Sequence, residues 1–101
     1  MSDEEILVKV DPILAELVPE FLARCRQSVA ELRGALEAGN LTVARQIGHS
    51  LFGTGGSYGF EGIGALGREI ERAARKGDAD ALRSLAEQLG SHVARVRPVF
   101  D

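Results

Sequence analysis

The sequence predicts an all-α fold, an antiparallel four-helix bundle with a short additional N-terminal helix. Three observations lead there. Apolar residues recur at spacings of three and four along four long stretches. Residues that cap or stop helices stand between those stretches. No period-two alternation of the kind a half-buried strand needs is evident. The 101 residues suit one domain, and the 45% that are hydrophobic are enough for a core. Aromatics are only 5% and tryptophan is absent, so leucine, isoleucine, valine and alanine must fill that core, which suits packed helices.

The first ten residues read as a flexible N-terminal arm, and residues 11–101 as the bundle domain. In "VDPILAELV", Asp11 is placed to cap a short helix and Pro12 suits its first position. Pro19 separates this segment from the next or starts the next helix. The stretch "PEFLARCRQSVAELRGALEAG" carries Phe21, Leu22, Cys25, Val29, Leu32 and Leu36 on one stripe. Gly39 ends that helix and Asn40 caps the following one, expected from Leu41 to about Gly55. "GSYG" reads as a break. "FEGIGALGREIERAARKG" places Ile63, Leu66, Ile70 and Ala73 or Ala74 on one side, and Gly77 ends it. Asp78 caps a last helix with Leu82, Leu85, Leu89, Val93 and Val96, closed by Pro98.

Composition excludes several classes of function. A formal net charge of -3 argues against nonspecific nucleic-acid binding, which requires a basic surface. No apolar run approaches the roughly 20 residues of a membrane span. The acidic start "MSDEEILVKVDP" lacks the features of a secretory signal. The single cysteine, Cys25, cannot form an internal disulfide, which fits a reducing compartment, and the expected location is the cytoplasm. There is no phosphate-cradling glycine loop followed by lysine and Ser/Thr, no paired acidic cluster for magnesium and no second ligand near His92 for zinc. No metal site or cofactor is therefore expected. Ser50 and Ser57 have no evident histidine and acid partners for a hydrolase triad.

The segment "RQIGHSLFGTGGSYGF", Arg45 to Phe60, stands out. A glycine weakens a helix by roughly 1 kcal/mol relative to alanine, so this many need a reason. With about 100° per residue and Ala44 set at zero, Ile47, Gly48, Leu51 and Gly55 fall within roughly 60° of it. They form the core stripe, and Gly48 and Gly55 serve close helix packing. His49 falls near 140°, with Arg45 near 100°, Gly56 near 120° and Gly53 near 180°. His49 thus shares an outer face with Arg45 and two glycines, which leave room around the ring for another protein. An exposed neutral imidazole is a good nucleophile near neutral pH. It is suited to accept a phosphoryl group from a donor that brings its own metal and acid chemistry. His92, alone on the last helix, reads as an ordinary packing or surface residue.

"HSLFGTGGSYGF" resembles the histidine-containing phosphotransfer (HPt) domain family, whose motif reads H-x-L-K-G followed by small residues and a further glycine. His49, Leu51 and Gly53 match, and Gly56 and Gly59 stand where the family has small residues. The flanking stretches from Asp11 to Pro98 are similar to the family's other helices. The resemblance implies a four-helix bundle with His49 as the phosphoacceptor, exposed midway along a helix. It implies reversible transfer to or from the aspartate of a response-regulator receiver domain in a two-component phosphorelay. The partners it implies are such a receiver and/or a hybrid histidine kinase, with magnesium and the catalytic acids on the receiver. The chain itself is expected to be a phosphoryl carrier, with no kinase or hydrolase activity, and a monomer. The starting methionine and capped ends favour a free-standing unit over a piece of a larger kinase.

One position departs from the pattern. The family usually has lysine three residues after the histidine, and here Phe52 stands there. Arg45, one turn before His49, is the best substitute for that charge. Glu71 aligns with a polar position near the active ring; it reads as a hydrogen-bond partner orienting the imidazole or as a plain surface glutamate. Arg68, Arg72 and Arg75 on the following helix add positive potential or are simply solvated. Phe52, Gly53, Gly56, Arg68 and Arg72 form the expected docking surface, with Phe52 widening its apolar part. The alternative function, kept open by the missing lysine, is a phosphorylation-inert adaptor or inhibitor that binds a receiver or histidine kinase.

Overall fold

The structure, a computed structural model, describes residues 4–100. Strand β1 (Ile6–Val10) is followed by one 3-10 turn, Pro12–Leu14. Four helices come next: α1 (Val18–Glu37), α2 (Leu41–Tyr58), α3 (Glu61–Lys76) and α4 (Ala79–Arg95). Strand β2 (Val96–Phe100) ends the order.

The caps read from sequence act where they stand. Asn40 Oδ1 accepts from the Val43 amide at 3.1 Å, and Asp78 Oδ1 from the Ala81 amide at 3.1 Å. Asp11 likewise accepts from the Ile13 amide at 3.0 Å. It caps only a single 3-10 turn, so the short N-terminal helix expected from "VDPILAELV" is corrected to that turn. Pro19 sits in the first turn of α1, where its missing N–H costs nothing.

Three further expectations change. Helix α2 runs through "GSY" to Tyr58 instead of stopping near Gly55. Ser57 Oγ donates to the Gly53 carbonyl at 3.0 Å inside that last turn, and Gly59 ends the helix at φ 83°, a conformation that only glycine adopts without strain. The expected loose arm is structured over residues 6–10: β1 pairs in parallel with β2, Ile6 opposite Val96 and Val10 opposite Phe100. Residues 1–3 of that arm lie outside the described residues. Ile6, Val8 and Val10 turn inward while Leu7 and Lys9 face out, which is a strand period after all. Pro98, expected merely to close α4, is part of β2, tolerated because each strand of a two-stranded sheet is an edge. Arg97 Nη1 donates to Glu5 Oε2 at 2.7 Å across the pair.

The core follows the predicted stripes, joined by Phe60, which belonged to none of them. Cys25, Leu32, Phe60, Ile63, Ile70, Leu82 and Leu89 are fully buried. Phe21 packs its ring against Tyr58 and Phe60, with centroids 4.7 and 5.2 Å away. The α2–α3 seam positions the functional face. A Cβ on Gly48 would lie 2.6 Å from the Glu71 amide nitrogen; one on Gly55, 2.6 Å from that of Gly64; one on Gly67, 2.6 Å from that of Phe52. Backbone meets backbone all along this seam, closer than any side chain permits. Positions 48, 52 and 55 meet 71, 67 and 64, so the contacts run in opposite order on the two helices. No helix among the described residues is long and apolar enough to cross a membrane.

Candidate functional site

His49 lies midway along α2 with its side chain 74% exposed. Its neighbours sort as the helical wheel predicts. Ala44, Gly48, Leu51 and Gly55 are buried, while Arg45, Phe52, Gly53 and Gly56 are exposed. Nothing lies within 4 Å of where a Cβ on Gly53 or Gly56 would be, so neither glycine is there for packing. These two leave open space beside the ring, whereas Gly48 lets α3 come close behind it.

That close approach brings Glu71 to His49. Glu71 Oε2 is 3.1 Å from His49 Nδ1 and also accepts from Arg75 Nη2 at 3.1 Å. The glutamate side chain is only 13% exposed, held between the two. An ionised carboxylate has no proton to give, so Nδ1 carries the hydrogen and donates. The other ring nitrogen, Nε2, then keeps its lone pair. The ring is thereby fixed in tautomer and aim.

A shallow cavity of about 250 Å³ surrounds this pair, lined by Arg45, Gln46, His49, Glu71 and Arg75. Of the other basic residues on α3, Arg68 places its guanidinium over the Phe52 ring, 5.5 Å from the centroid. Arg72 is turned to Glu69 at 3.3 Å, and neither Arg68 nor Arg72 lines the cavity. Among the described residues, Arg45 and Arg68 have no carboxylate partner. A chain of net charge -3 thus gathers positive charge on one face around a histidine.

Sequence reading singled out Glu71 but not the clamp on it. Arg75, four residues on, sits at the spacing where side chains on a helix meet, and that was the available signal. Gln46 was missed because an amide on a helix face carries no pattern. The Phe52–Arg68 stack joins two helices, and no local spacing reveals it. Elsewhere, His92 is half-buried over Gly62, and burial pushes its pKa below the usual imidazole value, with Arg95 adding to the effect. Among the described residues no group of three or more His, Cys, Asp and Glu is placed to hold a metal.

A model of the Hpt domain family matches residues 16–98. No curated protein and no solved structure matches the chain. The matched span takes in all four helices, including His49 and Glu71. The chain belongs to the Hpt domain family, whose members take part in histidine phosphotransfer in phosphorelays.

Proposed function

We propose that this protein carries a phosphoryl group on His49, to or from the aspartate of a receiver domain. The observation that carries the reading is the exposed imidazole whose Nδ1–H is held by the nearly buried Glu71. In the forward step the Nε2 lone pair attacks phosphorus of the aspartyl phosphate. The N–P bond forms, the P–O bond breaks and the carboxylate leaves with the electron pair. The ring keeps its Nδ1 proton and becomes cationic, and Glu71 stabilises that charge across a charge-assisted hydrogen bond. Arg45, one turn before His49, faces the incoming dianion. The receiver supplies magnesium and its own acids, and the reverse step returns the group to it.

Gly53 and Gly56 make the open surface on which the receiver docks, beside exposed Phe52 with Arg68, and Arg72 borders it. The opposed order of contacts along α2 and α3 supports an antiparallel packing of these two helices, in keeping with an antiparallel four-helix bundle domain that begins near residue 11. In this reading the protein is a monomeric carrier and not an enzyme. The buried free thiol of Cys25 fits the reducing cytoplasm, where such partners reside.

A second reading is an inert adaptor that binds a receiver without accepting phosphate. It is favoured by one observation, the aromatic side chain at position 52, exposed to 42% where a lysine is usual. Incubation with a phosphorylated receiver separates the two. The carrier acquires acid-labile, base-stable phosphate, which His49→Gln abolishes and His92→Gln leaves intact. An adaptor binds and acquires none.

A further inference from the structure

Arg45 is four residues before His49 and Phe52 three residues after it, so all three lie along one face of α2. Side chains on a helix lean toward its N-terminus, so the Phe52 ring leans back toward the turn that carries His49. Over that ring stands the guanidinium of Arg68, 5.5 Å from its centroid, within the range of a cation–π contact. Glu71 and Arg68 are one turn apart on α3, and they face His49 and Phe52 as successive rungs of the α2–α3 seam. The three guanidiniums of this face other than Arg45 have different fates. Arg72 is paired with Glu69, Arg75 with Glu71, and Arg68 alone lies on an aromatic face without a carboxylate. An aromatic platform holds a guanidinium in place without neutralising it, and leaves its N–H groups free for an anion.

We infer that Arg68, held over Phe52, binds the phosphoryl oxygens on His49, so that Phe52 is a positioning residue for a cation supplied by the neighbouring helix. The inference rests on His49 being the phosphoacceptor and names a further cation beside Arg45, one that lies outside the cavity and is met by the phosphoryl group once His49 carries it. It also accounts for an aromatic residue at position 52: the charge comes from α3 and the ring supplies its seat. Position 52 is then neither a simple loss of charge nor only an apolar docking contact.

The test uses phosphoramidate, which needs no protein partner. His49 Nε2 attacks its phosphorus, the N–P bond of the donor breaks and ammonia leaves, giving phospho-His49 directly. The pH midpoint of the phosphorus NMR shift then reports the charge around the phosphoryl group, because a nearby cation favours the dianion and lowers the midpoint. Arg68→Ala raises the midpoint by about 0.3–0.7 units, the range expected for an exposed charge contact. Phe52→Leu, which keeps an apolar side chain but removes the platform, raises it in the same direction by a smaller amount. Phe52→Lys placed in the Arg68→Ala background brings it back toward the wild-type value. A purely structural role for Arg68 would leave the midpoint in place, and an unchanged midpoint in Arg68→Ala on a labelled, folded protein overturns the inference while leaving His49 as the acceptor. A chemically labelled protein that fails to pass its phosphate to any receiver overturns the carrier function and leaves the Arg68 contact standing. No label on wild-type His49 overturns both.

Discussion

Replacing Gly67 by alanine tests whether the glycine seam sets the geometry of the site. The added Cβ would lie 2.6 Å from the Phe52 amide nitrogen, 2.7 Å from the Gly48 carbonyl oxygen and 2.8 Å from Leu51 Cβ. Ordinary contact begins near 3.4 Å, so the deficit is 0.8 Å (3.4 minus 2.6), and two of the three obstacles are backbone. No side chain can rotate away from those two, and the helices must move apart. Overpacking of this kind costs about 1–3 kcal/mol. Alanine's better helix propensity returns up to about 1 kcal/mol. The expected net loss runs from near zero to about 2 kcal/mol, which for a domain of this size lowers Tm by up to about 16 °C. Gly53→Ala is the matched control: its Cβ meets nothing within 4 Å, so the propensity gain is unopposed and Tm rises by about 4–8 °C. Thermal melts followed by circular dichroism read both. Separation of α3 from α2 also lengthens the His49–Glu71 hydrogen bond, so Gly67→Ala slows phosphorylation of His49 where the protein is still folded. A Gly67→Ala protein whose Tm rises as far as that of Gly53→Ala would refute the close-packed seam and the explanation of how Glu71 reaches the ring.

Four further outcomes follow from the same residues. Gly53→Leu keeps or raises Tm but slows transfer from a phosphorylated receiver at least severalfold, measured by label transfer, because the side chain fills the open face beside His49. Glu71→Ala frees the Nδ1 hydrogen and removes the carboxylate that stabilises the cationic ring; the phosphorylation rate falls by about 10–100-fold, with Glu71→Gln between, since one charge-assisted hydrogen bond is worth about 1.5–3 kcal/mol. The buried Cys25 thiol is pushed up to about 11, so folding stability declines as pH rises from about 9 to 11, where the unfolded thiol ionises and the folded one does not; denaturant titrations across that range check it, and Cys25→Ala flattens the decline. Burial of His92 lowers its pKa, so the unfolded chain takes up its proton first and stability falls as pH drops through the ordinary imidazole value of 6.5; His92→Gln removes that part of the slope.

Most of the helical frame was legible because its signals are local. The caps Asn40 and Asp78 and the stops Gly39 and Gly77 act within one turn, and the stripes through Leu32, Ile63 and Leu89 repeat at the helical period. The exposure of His49 followed from the same arithmetic. What escaped was set by contacts distant in sequence. Strand β1 needs β2, some 90 residues on, before its short alternation has any partner, and a parallel pair leaves no hairpin turn to announce it. The end of α2 was misplaced because "GSYG" reads as a break from propensity alone, while Tyr58 packing on Phe21 draws the helix onward to Gly59. Gly64 and Gly67 stand out by no local pattern, and their use appears only once α2 lies against them. The Arg68–Phe52 stack and the Arg75–Glu71 clamp belong to the same class: they depend on where side chains lie in space more than on where they lie in the chain.

The most direct measurement is the identity of the atom that carries phosphorus after the protein has been mixed with a phosphorylated receiver. Peptide mapping at alkaline pH locates the residue, and proton–phosphorus correlation spectroscopy tells one ring nitrogen from the other. Because Glu71 occupies Nδ1, the account predicts a single phosphoryl group on Nε2 of His49, returned to the receiver on reversal. Phosphorus on Nδ1, on another residue, or on no residue of a protein that still binds the receiver would contradict it.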